Sequence, residues 1–207
     1  MFVRAVGVFG TLVLLLVVST ANARGPYGSI SVAGWSGGAF TVDYTGEFSN
    51  CIASAPYKSG IVFGVLVSKT YEWVLAFTHP SWTLTKGQKF PIVLSFDGRN
   101  TFNVNGIAMA VATVLVPMPD DSALIKSFRA AHTMSAFVQG NLFQFDLKGT
   151  AVLMPSLVSC VKTINAGGIA AATNFTVVLP PKQPAAQALP TAASSPEPNR
   201  PQVIRIR

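Results

Sequence analysis

The sequence predicts a mainly β single domain, β-sandwich-like or α+β, with two helices near its C-terminal end. Three observations carry that expectation. Short runs rich in Val, Ile and Phe recur between residues 61 and 116, separated by turn signals. After Pro119 the pattern switches to an acid-capped stripe at helical spacing. The βαβ alternation of a nucleotide-binding fold is absent. Composition agrees, since half of the 207 residues are hydrophobic and 11% charged, which excludes wholesale disorder.

Residues 1–23 have the pattern of a secretory signal peptide. Arg4 gives a positive start, residues 6–18 are apolar, and Ala21-Asn22-Ala23 is a small-x-small cleavage site. Retention as a membrane anchor is the competing reading, because residues 5–23 are uncharged. No later stretch of spanning length lacks a charge, a proline or a glycine cluster, so no transmembrane span is expected after cleavage. Residues 24–181 then form the β-rich domain.

Its opening, residues 24–38, is rich in Gly and Ser and reads as loop around Trp35. Residues 61–68 and 72–78 read as strands joined by a short hairpin at Lys69-Thr70-Tyr71. Residues 90–96 form a strand ending in the turn Asp97-Gly98, with Pro91 at its start or on an edge. Residues 101–104 and 107–116 read as strands on either side of Asn105-Gly106. The first helix is expected over residues 123–138, with Leu124, Phe128, Ala131, Ser135 and Val138 on one stripe. A strand at 142–147 follows, then a second helix over 150–163 with Leu153, Leu157, Cys160 and Ile164 on one face. Pro155 is tolerated there only near the first turn or at a kink. Residues 169–179 read as a last strand or extended segment. Residues 182–207, rich in Pro and Ala, read as a disordered basic tail or linker.

Cys51 and Cys160 are the only cysteines. In an oxidising compartment an even pair reads as a disulfide, and closing a loop of roughly 100 residues contributes about 4–5 kcal/mol in the chain-entropy model. A reactive thiol is the alternative. No catalytic or metal-binding constellation is present, and no cofactor is expected. Gly34-Trp-Ser-Gly-Gly38 lacks the order of a serine nucleophile motif. His79 reads as a loop histidine and His132 as one on a helix flank. Asp120 and Asp121 suit a helix start, Asp97 a turn, and Asp43 with Glu47 a polar turn. Phosphate-cradling motifs are absent.

The formal charge of +7 is peripheral. Arg4 leaves with the signal. The tail holds Lys182, Arg200, Arg205 and Arg207 against Glu197. That supports a weak contact of the tail with an anionic surface and gives no reason to expect nucleic-acid binding. Aromatic residues are the remaining candidates. Trp82, Trp35 and Tyr57 read as either core packing or an exposed surface for a partner, with Trp82 the best placed for exposure.

The order of these elements resembles the invasion-associated locus B family of exported alphaproteobacterial domains. The pattern runs from Trp35 and Cys51 through Pro80-Ser-Trp-Thr-Leu84-Thr-Lys-Gly87 and Asp97-Gly98. It ends with an acid-capped helix and Phe145-Asp-Leu147-Lys-Gly149 before the last helix. The resemblance implies a periplasmic or surface-associated β-rich domain without known catalytic residues, related to host interaction. One departure is that residues 100–116, where the family usually has a cysteine pair, contain none. The expected function is an exported, non-enzymatic domain, periplasmic or secreted, that binds an unidentified protein or cell-envelope component. The alternatives are an envelope hydrolase pairing Asp43 or Glu47 with His79 or His132, and an inhibitor of a secreted hydrolase.

Overall fold

Alternating apolar residues build most of this molecule. A computed structural model describes residues 25–179 and 203–205. The segment read as a signal peptide and most of the tail lie outside the described residues. Twelve strands form one sheet in the order β11-β1-β2-β3-β4-β5-β8-β7-β6-β9-β10-β12. They are β1 (Tyr27–Val32), β2 (Trp35–Thr41), β3 (Phe48–Pro56), β4 (Val62–Ser68), β5 (Trp73–Thr78), β6 (Lys89–Phe96), β7 (Asn100–Ala110), β8 (Thr113–Pro117), β9 (Thr133–Val138), β10 (Asn141–Asp146), β11 (Thr176–Leu179) and β12 (Val203–Arg205). From β1 to β10 all neighbours are antiparallel, while β11 on β1 and β12 on β10 are parallel.

Period-2 burial fixes which face turns inward. Phe63, Val65 and Val67 of β4 are buried, as are their partners Phe77, Leu75 and Trp73 on β5. The sheet curls until its two halves meet across this face. Phe145 of β10 packs at a tilt against Phe63 and Phe77, with ring centroids 5.1 and 5.2 Å apart. The result is a single β-rich domain, as expected.

Two helices pack into part of the concave side. Helix α1 (Ser122–Ala130) is capped by Asp121, whose carboxylate accepts from the N–H groups of Ala123 and Leu124. Its Phe128 packs on Trp73 and Phe96. Helix α2 (Thr150–Gly167) buries the expected face, Leu153, Leu157, Cys160 and Ile164. Cys160 is bonded to Cys51 of β3, with Cα atoms 6.3 Å apart. The disulfide reading therefore holds, and no free cysteine remains. Pro155 lies inside α2 and cannot donate to the carbonyl of Ala151. The guanidinium of Arg129 donates to that carbonyl instead, at 3.5 Å.

Several local expectations need correction. The helix predicted over 123–138 ends at Ala130, and the second half of that stretch is β9. The carboxylate of Asp97 accepts from the backbone N–H groups of His132 and Thr133, which stops the helix and starts the strand. His132 therefore lies in a connection and not on a helix flank. The Gly-rich opening is not loop but β1 and β2. Gly37 is needed because a Cβ there would lie 1.9 Å from the carbonyl oxygen of Ile52 on β3. Asn105-Gly106 is no turn either, for β7 runs straight through it. A Cβ at Gly106 would press on Val114 and Ile92. Residues 169–179 divide into a short 3-10 helix, Ile169–Asn174, and β11. Within the tail read as disordered, Val203–Arg205 pairs with Leu142, Phe143 and Gln144 at the edge of β10.

Candidate functional site

The helices do not fill the whole concave face. At one end of the curl they leave an apolar cavity of about 220 Å³, open to solvent on one side. Its walls are Phe77 of β5, Phe90 and Ile92 of β6, Val114 of β8, Ala136 and Val138 of β9, and Phe143 and Phe145 of β10. Ile61 closes one side. Trp82 and Leu84, from the connection between β5 and β6, form the lip, and Gln139 and Asn141 of the β9–β10 turn face them. No Asp, Glu, Lys, Arg, His, Ser or Cys lines this space.

The lip is tied down by backbone hydrogen bonds. His79 N–H donates to the carbonyl of Ala112, Leu84 N–H to Val111, and Gly87 N–H to Ala108. Ala108 N–H donates in turn to Gln88. These bonds fasten the β5–β6 connection along the β7–β8 turn. His79 anchors the other flank. Its Nδ1 accepts from Ser81 N–H, and its Nε2 donates to the carbonyl of Ser59, at 3.0 Å. Both ring nitrogens are used, and the ring lies 5.8 Å from that of Trp82. His79 thus positions the lip and offers no free lone pair for proton transfer or a metal.

Of the three aromatic candidates, the structure brings only Trp82 to the cavity. Trp35 is 2% exposed, packs edge-on against Phe63, and donates its indole N–H to the carbonyl of Lys148. Tyr57 is 9% exposed, and its hydroxyl donates to the carbonyl of Asp146. Both belong to the core, where the buried polar tip of each ring finds a partner, so neither presents a surface to a binding partner. Burial, and secondarily the charge of Asp146, push the Tyr57 hydroxyl well above its ordinary pKa. The folded state therefore holds this proton more tightly than the unfolded chain does. The resulting stability is fully present below about pH 10 and is lost as pH rises beyond it. Urea midpoints of the wild type should fall more steeply above that pH than those of Tyr57→Phe. Equal slopes would assign the alkaline loss to other groups.

Asp43 and Glu47 are not brought to His79. Asp43 and Glu47 lie in the exposed β2–β3 turn, whereas His79 follows β5 at the opposite strand end. The nine residues of β3 separate those ends by roughly 30 Å at about 3.3 Å per residue. Among the described residues, no group of three His, Cys, Asp or Glu side chains is placed to hold a metal. Nor is any helix among them long and apolar enough to cross a membrane.

The cavity walls were missed in the sequence because each is an ordinary inward residue of a strand. Only the curl of the sheet brings Phe90 and Phe143 together, and periodicity does not report curl.

Comparison with known proteins gives a fold likeness. No family model matches the chain, and no curated protein matches its sequence. The crystal structure of invasion associated protein B from Bartonella henselae is similar in fold, with a TM-score of 0.46 at 14% identity. The match covers 65% of this chain and 97% of that one.

Proposed function

We propose that this chain is an exported, non-enzymatic domain of the periplasm or cell surface that binds a cell-envelope component at the cavity mouth. The observation that carries this reading is the half-open apolar cavity with Trp82 on its lip and no ionisable group in its walls. Such a space suits an apolar group held by shape and desolvation. The buried disulfide suits an oxidising compartment.

Sedimentation with isolated envelope vesicles tests the proposal. The wild type should cosediment. Trp82→Ala should bind about thirtyfold more weakly, the loss expected for an aromatic anchor, with unchanged circular dichroism. A variant that folds and binds like the wild type would remove the site assignment.

A further inference from the structure

The turns around the cavity mouth differ in charge from those at the other ends of the same strands. Lys86 lies in the β5–β6 connection and Lys89 opens β6, while the β7–β8 and β9–β10 turns carry no charge. None of these segments contains Asp or Glu. The far ends mix both signs. They hold Asp43 and Glu47 between β2 and β3, Glu72 before β5, and Asp97 after β6, alongside Lys69 and Arg99.

The mouth also carries a projecting aliphatic tip. Met109 is 48% exposed and Val111 60% exposed, at the β7–β8 turn. This tip is held in place and does not fray, because the carbonyls of Ala108, Val111 and Ala112 all accept backbone hydrogen bonds from the β5–β6 connection. The carbonyls of Ala108, Val111 and Ala112 are thus satisfied internally, which lowers the cost of entering a medium poor in hydrogen-bond partners. Trp82 and Leu84 lie partly buried just behind it, on the lip.

We propose that this end of the domain docks on an anionic lipid surface. Met109 and Val111 enter the boundary between headgroups and acyl chains, and Lys86 and Lys89 meet the lipid phosphates. The proposal rests on the envelope-binding reading and names the partner. Charge complementarity selects lipid over a protein groove: two lysines with no acidic neighbour in these turns flank a small aliphatic wedge that has three of its carbonyls already paired. Binding should weaken as salt rises, since exposed charges are screened.

Protein purified in soluble form from the periplasm of an expression host would be sedimented with protein-free vesicles. One set would mix phosphatidylglycerol with phosphatidylcholine, and the other would be phosphatidylcholine alone. The wild type should bind the anionic vesicles and not the neutral ones. Lys86→Glu/Lys89→Glu should bind at least roughly 25-fold more weakly, the loss expected for two surface lysines. Met109→Ser/Val111→Ser should lose about tenfold or more. All four positions are exposed, so circular dichroism should show folded variants. No binding to anionic vesicles at low salt overturns the proposal. Binding that neither variant weakens also overturns it, and moves the contact to the basic tail. Binding to native envelope without binding to protein-free vesicles overturns the lipid assignment, leaves the envelope reading standing and places the partner among proteins.

Discussion

A Cys51→Ala/Cys160→Ala variant should be about 4–5 kcal/mol less stable than the wild type. The bridge joins residues 109 apart in sequence, so it removes a large loop's freedom from the unfolded chain. It also ties α2 to the sheet at a point where both cysteines are fully buried. Domains of this kind are stable by only about 5–15 kcal/mol, so the variant approaches marginal folding. Alanine is the better replacement, because a serine hydroxyl would be buried there without an assured partner. Urea titration followed by circular dichroism measures the loss, and reductant added to the wild type should reproduce it. A variant with the wild-type midpoint would mean that Leu153, Leu157 and Ile164 seat α2 without the bridge.

Phe145→Ala should cost about 3–5 kcal/mol, the range for removing a buried aromatic ring. This ring meets Tyr57, Phe63 and Phe77, with centroids 5.4, 5.1 and 5.2 Å away. It is therefore a contact through which β10 closes onto β4 and β5. Because Phe145 also lines the cavity, its truncation enlarges an existing space that the surrounding strands cannot readily collapse. Phe145→Leu should recover much of the loss by restoring volume. Thermal and urea unfolding of the two variants decides the matter. A loss below about 1 kcal/mol for the alanine variant would show that the halves are held together elsewhere.

Elements with an unambiguous local signature were legible in the sequence. Residues 61–68 and 72–78, rich in Val, Ile and Phe around a short linker, form the β4–β5 hairpin. Asp97-Gly98 makes the β6–β7 turn, and the face of α2 is the one its spacing indicates. The misreadings have a common physical cause, in that tertiary neighbours overrode local signals. Glycines at 37 and 106 looked like loop or turn residues, yet they serve close approach inside strands. The stripe from Leu124 to Val138 fits period 3.6 and, in its second half, also period 2. Strand partners on β6 and β10 and the Asp97 carboxylate decide between them. At the candidate site, only Trp82 could be selected in advance, as an aromatic in the polar run Pro80-Ser-Trp-Thr83. The remaining walls are separated by up to 84 residues, from Ile61 to Phe145, and nothing local links them.

Both outer strands of the sheet come from the chain after α2. β11 covers β1, the first strand, and β12 covers β10. A chain emerging N-terminus first from a ribosome would therefore expose ten strands before β1 or β10 gains its outer neighbour. Long-range pairings of this kind form slowly, because the intervening chain must be ordered first. During that interval two rows of unpaired backbone groups are open to other chains. For β1 and β10 that exposure falls during synthesis, and it ends when residues 176–179 and 203–205 pair with them.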